Sequence, residues 1–231
     1  MKEYSIGEQN IIVDDIIVDG EIKKGYQMIR LSEGWCPHKC PWCREPKEAL
    51  KEREYPIPKI IRNDNIEITD MNILASPHGL EKIRAFKDIR VDGKVVYPWL
   101  MCGIDYRFLT PEIAQALHES RFVNIHIAWD LRYSDQKRIK KAIVCLNKAG
   151  YPLKEISVFM VCNHPAISYK ECCKKLNLCK YWGVKVNDCW YDGQSPPNVI
   201  PIAWNYFDIK EFRAAVRKHN QFVNYRIDPE L

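Results

Sequence analysis

No stretch of this sequence stays apolar long enough to span a bilayer. The longest apolar runs, such as Ile156–Cys162, cover about a third of the ~20 residues a membrane helix needs. The opening residues Met1–Ile12 lack the charged, apolar and small-residue succession of a signal peptide. No Gly/Ser linker divides the chain, and neither an internal repeat nor a low-complexity tract is present. A Gly-rich phosphate loop, a nucleophile elbow and a His-Glu-x-x-His zinc helix are also missing, which removes three familiar chemistries. Charge of one sign is scarce too: 35 Lys and Arg oppose 30 Asp and Glu. The resulting net charge of +5 and sequence pI near 8.6 fall short of a dedicated DNA-binding domain.

What is present is mostly ordinary. The 231 residues are 46% hydrophobic and 28% charged, which excludes a disordered or fibrous chain. The unusual feature of the composition is its ten cysteines. A disulfide scaffold would be shorter and secreted, so free, reactive or metal-bound thiols in a reducing cytoplasm are expected instead.

Short β-rich runs alternate with helical periodicities. Strands are expected at Tyr26–Leu31, Asn65–Ile73, Lys94–Met101, Phe122–Trp129, Glu155–Cys162 and Val184–Trp190. Helices are expected near Pro46–Arg53, over Leu80–Ile89, after Thr110-Pro111, and over Ser134–Ala149 and Ser168–Trp182. The last two end at Gly150 and Gly183. Six strand–helix alternations imply an α/β fold, a partial (β/α)6 TIM-like barrel with a parallel sheet. It would occupy residues 25–192. Residues 1–24 form an N-terminal hairpin or lid, with Ile11–Val13 and Ile16–Val18 around an acidic pair. Residues 193–231 form a C-terminal loop, a helix carrying Ile209, Phe212 and Val216, and a final extended segment.

Cys36-Pro-His-Lys-Cys40-Pro-Trp-Cys43 places three thiols at C-x3-C-x2-C spacing directly after the first expected strand. Parallel α/β folds build their sites at strand C-termini. Three thiolates on a [4Fe–4S] cluster leave one iron without a protein ligand, and a catalytic metal site needs such an opening. Zinc is the alternative metal, giving a non-enzymatic binding module, although structural zinc takes four ligands. His38 could be offered as the fourth, but it lies inside the same short loop and is badly placed to close a tetrahedron.

The motif C-x3-C-x-aromatic-C, with Trp42 at the aromatic position, resembles the radical S-adenosylmethionine (radical SAM) superfamily. Asp70-Met-Asn-Ile-Leu-Ala, Gly103-Ile-Asp-Tyr-Arg and Ala128-Trp-Asp resemble segments of its small prokaryotic and phage members. The resemblance implies an oxygen-sensitive enzyme in which Cys36, Cys40 and Cys43 hold a [4Fe–4S] cluster that binds S-adenosylmethionine. Reduction of the sulfonium yields methionine and a 5′-deoxyadenosyl radical, which abstracts hydrogen from substrate. It also implies an external one-electron reductant of the flavodoxin or ferredoxin type. The substrate is a metabolite or a macromolecule such as RNA or a peptide, and no membrane partner is implied.

Position along the expected strands nominates further cofactor-binding residues. Asp70 and Asn72 project together from the second strand and suit the S-adenosylmethionine amino group; an Asx turn closing the strand would explain them equally. The Gly-Gly-Glu-like segment usual at this place in the superfamily is absent. Asp105 and Arg107 end the third strand and either bind a carboxylate or anionic substrate, or pair with each other. The fourth strand puts Asn124, His126, Ala128 and Asp130 on one face, with Asp130 at the mouth for the ribose hydroxyls and His126 a core histidine. Asn163 stands where the superfamily often contacts adenine. Cys162, Cys172, Cys173, Cys179 and Cys189 read as core packing, with a second cluster as the alternative, and Cys102 and Cys145 read as core. Lys137, Arg138, Lys140 and Lys141 read as the wet face of a helix whose stripe is Ile139, Ala142, Ile143 and Leu146, with a phosphate-contacting patch as the alternative.

Overall fold

A computed structural model describes residues 10–14, 16–18, 21–43, 51–130, 132–191 and 203–225. The chain divides into two compact units, Met1–Ile125 and His126–Leu231.

The first unit is built on a four-stranded sheet in the order β1 (Asn10–Val13), β4 (Tyr26–Ile29), β7 (Asn65–Ile68), β10 (Tyr97–Leu100). β4, β7 and β10 run parallel, while β1 joins the edge antiparallel, Asn10 opposite Ile29. Three small hairpins hang on this frame: β2 (Ile16–Val18) with β3 (Glu21–Lys23), β5 (Ser32–Glu33) with β6 (Arg53–Glu54), and β8 (Arg90–Val91) with β9 (Lys94–Val95). Ile11–Val13 and Ile16–Val18 therefore pair with other segments and not with each other. Along β7 the pleat alternates as expected: Ile66 and Ile68 are fully buried, and Asp70 and Asn72 continue the buried face. The strand stops at Ile68 instead of Ile73, because Ile73–Ala75 winds into a 3-10 turn leading to α1 (Gly79–Ala85). α2 (Pro111–Glu119) starts where its sequence dictates: Thr110 Oγ1 accepts from Ile113 N at 3.2 Å and proline fills the first turn. Ile83, Phe86, Leu117 and Phe122 close the core, with Phe86 edge-on to Phe122 at 5.7 Å.

The second unit holds a three-stranded, wholly parallel sheet: β11 (His126–Ala128), β12 (Ser157–Cys162) and β13 (Lys185–Trp190). α3 (Gln136–Lys148) connects the first pair and α4 (Tyr169–Trp182) the second. Ile139, Ala142, Ile143 and Leu146 are buried along α3, and the intervening basic residues are exposed. Ser168 Oγ caps α4 through Glu171 N at 3.2 Å, and Gly183 ends it in the left-handed region, φ 70°. α5 (Tyr206–Tyr225) buries Ile209, Phe212 and Val216. Its Asn220 amide pairs with the backbone of β13, accepting from Val186 N at 2.9 Å and donating to Val186 O at 2.7 Å. A sheet edge is thereby closed by a side chain.

The expectation of a partial (β/α)6 barrel is not met. The expected strands are divided between two sheets, the larger carrying an antiparallel edge, and no closed barrel exists among the described residues. Local backbone geometry explains part of the break. The fourth expected strand, Phe122–Trp129, shrinks to His126–Ala128, and Asn124 within it adopts a left-handed conformation, φ 51°, which breaks a regular ladder. The expected helix near Pro46–Arg53 and the final extended segment lie largely outside the described residues; Arg53 itself is in β6.

Candidate metal centre

Beyond β4 the chain passes through β5 into the loop 34–43, which carries Cys36, Cys40 and Cys43. Its entry is fixed from β7. Asp70 Oδ2 accepts from Leu31 N at 2.8 Å and Oδ1 from Ser32 Oγ at 2.6 Å, so both carboxylate oxygens are committed to the segment before the thiols. Burial raises the Asp70 pKa, partly offset by these bonds and by the charge of Lys82. Lys82 in turn reaches Leu31 O and Glu54, whose other oxygen takes Ser76 Oγ at 2.6 Å. Gly34 turns the chain at φ 75° against the backbone of Lys51 and Glu52; a β-carbon there would lie 2.6 Å from Lys51 C and O. No larger residue fits that approach.

The thiol loop then meets the ends of β7 and β10. Asn72 Nδ2 lies 3.8 Å from Cys36 Sγ and donates to Asp105 Oδ2 at 3.0 Å, while Asn72 Oδ1 is buried without a hydrogen-bond partner. His38 Nε2 comes within 3.0 Å of the same Asp105 oxygen, though without hydrogen-bonding alignment. Arg107 Nε and Nη2 contact the two Asp105 oxygens at 2.7 and 3.0 Å. Burial works to lower the Arg107 pKa. The hydrogen bonds and charge of Asp105, with Tyr106 and Cys40, outweigh it and hold the guanidinium above its ordinary value. Cys43 N donates to Cys40 O at 3.0 Å across the turn that holds Trp42. The C-terminal ends of three adjacent parallel strands thus converge on one loop.

Five of the nominated positions gather here: Cys36, Asn72, Asp105 and Arg107 through direct contacts, and Cys40 through the field at Arg107. Asp70 stands behind them as a support for the loop. Asp105 and Arg107 lie in the turn past β10, paired with each other. Asp130 and Asn163 belong to the second unit. Asn163, fully buried at φ 63°, accepts from Ala203 N and Trp204 N, each at 3.1 Å, and donates to Tyr191 O at 3.3 Å. Its amide fastens the segment leading into α5.

None of the ten cysteines forms a disulfide. The three in the loop are half-buried. In the second unit, burial pushes the Cys189 thiol up to about 12 and raises Cys179; a hydrogen bond with Cys172 and then burial raise Cys162. Thiols so disfavoured as thiolates behave as small hydrophobes. Among the described residues no three Cys, His, Asp or Glu side chains are gathered closely enough to grip a metal ion as they stand. The loop nevertheless fits an iron–sulfur group in its donor chemistry: three thiols outside any disulfide, an amide donor beside Cys36 and a cation beside Cys40. Sequence reasoning missed Gly34, Glu54 and Lys82; only the proximity of residues 51–54 to the loop reveals them. No described helix is long and apolar enough to cross a membrane. No protein-family model matches the chain, and no curated protein matches it.

Proposed function

We propose that the chain is a radical SAM enzyme whose Cys36, Cys40 and Cys43 hold a [4Fe–4S] cluster. When bound, that group supplies one electron to the sulfonium of S-adenosylmethionine, breaking the C5′–S bond to methionine and a 5′-deoxyadenosyl radical that takes a hydrogen atom from substrate. The electron comes from an external one-electron reductant of the flavodoxin or ferredoxin type, which suits a reducing cytoplasm.

The observation that carries the reading is the meeting of the three-cysteine loop with the ends of β4, β7 and β10. Parallel strands place their chemistry at their C-terminal ends, and β4, β7 and β10 end at this loop. Within that site the protein's residues have separable tasks. Asp70 clamps Leu31 and Ser32, and Gly34 sets the turn, so the loop begins from a fixed point. Asn72 presents an N–H to Cys36, and Arg107 supplies positive charge near Cys40; both favour sulfur in its thiolate form. Asp105 orients both donors at once.

Anaerobic reconstitution tests the proposal. About four irons and four sulfides per chain are expected, together with 5′-deoxyadenosine when dithionite and S-adenosylmethionine are added. Single Cys→Ala changes at 36, 40 or 43 should abolish both, whereas Cys172→Ala should retain them. Zinc without iron, or a reduced cluster that never cleaves S-adenosylmethionine, overturns the reading.

A further inference from the structure

In the second unit an open hollow of about 360 Å³ is lined by Arg132, Tyr133, Ser134, Ser168, Lys170, Glu171 and Lys174. It lies past the C-terminal ends of β11 and β12, at the starts of α3 and α4. Four more exposed cations, Lys137, Arg138, Lys140 and Lys141, follow on the first turns of α3. Residues 132–141 and 168–174 together carry seven basic side chains against two carboxylates, an excess equal to that of the entire chain. Neither carboxylate opposes the hollow freely: Glu171 accepts from Tyr133 N at 2.7 Å, and Asp135 faces Arg138 at 3.9 Å.

The hollow has a built floor. Lys175, wholly buried, donates to Trp129 O at 3.0 Å, and Trp129 Nε1 donates to Arg132 O at 3.2 Å. With the Glu171–Tyr133 bond, these contacts hold the turn on α4 from below. The Tyr133 ring stacks on fully buried Trp129 at 6.3 Å and 20°, and Lys174 Nζ stands 5.6 Å above the Tyr133 ring. The half-exposed Tyr133 is thus a fixed aromatic shelf beside a cluster of cations. That pairing of groups binds a strand by its phosphates and by stacking of a base.

We infer that this surface binds a single-stranded nucleic acid, with phosphates on Arg132, Lys170, Lys174 and the α3 lysines and a base on Tyr133. An acidic peptide would satisfy the cations but has no use for the aromatic shelf. The site lies wholly within the second unit and is independent of the thiol loop, so it stands or falls apart from the cluster.

The test is fluorescence anisotropy of the full chain with labelled 12-nucleotide single-stranded RNA and DNA, and with polyglutamate, from 50 to 200 mM salt. Six phosphate contacts predict a log–log salt slope of about −4, or about 300-fold weaker binding across that range. Lys137→Glu/Lys140→Glu/Lys141→Glu should weaken binding more than tenfold and flatten the slope. Tyr133→Ala should cost about tenfold for nucleic acid and nothing for polyglutamate. Unchanged thermal unfolding of both variants separates these losses from misfolding. Binding of RNA and DNA alike assigns the shared backbone chemistry, and tighter binding of one names the source. Wild-type binding that ignores salt, variants that bind like wild type, or polyglutamate held as tightly as nucleic acid each overturn the inference.

Discussion

Asn72 Nδ2 lies 3.8 Å from Cys36 Sγ, so the end of β7 offers the thiol loop an N–H donor while Asp105 holds the same amide at 3.0 Å. An N–H···S bond stabilises the more negative, reduced state of an iron–sulfur group and raises its potential. Asn72→Leu keeps the volume and removes the donor. The midpoint potential of the reconstituted protein, read by electron paramagnetic resonance titration, should fall by about 40 mV, the one-electron equivalent of ~1 kcal/mol. An unchanged potential with full iron loading would remove Asn72 from the site.

Gly34 gives the plainest steric prediction. Its φ of 75° and the backbone of Lys51 and Glu52, 2.6–2.7 Å from any β-carbon, leave alanine no room. Gly34→Ala should destabilise the protein by at least about 2 kcal/mol, since left-handed strain alone costs 1–2 kcal/mol and the opposing atoms are main chain. Iron uptake should drop with it. Urea unfolding and metal analysis on one preparation check both, and wild-type values in both would show that the loop has other room to move.

What could be read from the sequence was local chemistry. Thr110-Pro111 starts α2 and Ser168 starts α4, and Gly183 stops it, because a cap is satisfied within four residues. Sheet membership could not be read this way. Whether Tyr97–Leu100 and His126–Ala128 share a sheet depends on partners remote in sequence, and the left-handed Asn124 that shortens the later strand looks like any polar strand residue. The candidate site divides along the same line. The thiol spacing was visible, and so was the placement of Asn72 and Asp105 near strand ends. The clamp of Asp70 on Leu31 and Ser32 spans nearly forty residues and leaves no local pattern.

Asn163 shows the same limit in the second unit. Its side chain makes three hydrogen bonds to backbone at Tyr191, Ala203 and Trp204 while its own φ is 63°. Asn163→Ala should cost about 3 kcal/mol, from lost bonds and backbone strain together, and Asn163→Gly about 1 kcal/mol less, because glycine relieves only the strain. Chemical denaturation of the two variants decides it. Equal stability of all three proteins would mean that the segment before α5 does not need this fastening.

His126 supplies a pH signature. Its ring stacks on Phe159 at 4.3 Å, its Nδ1 takes the Asn187 amide at 3.0 Å, and it also pairs with Ser157 Oγ. Burial, with the Lys185 charge behind it, pushes the imidazole pKa from 6.5 down to about 4. Between those values the unfolded chain binds a proton that the folded chain refuses. The stabilising difference is therefore complete above pH 6.5 and is lost as pH falls toward 4. From pH 7.5 to pH 4.5 this one group should remove about 2.5 kcal/mol of stability. His126→Gln abolishes the titration, so its unfolding free energy should fall by about that much less over the same interval, whatever the carboxylates contribute to both proteins. Parallel losses in wild type and variant would mean that the imidazole is protonated in the folded state, and hence that burial and the Lys185 charge do not hold it neutral.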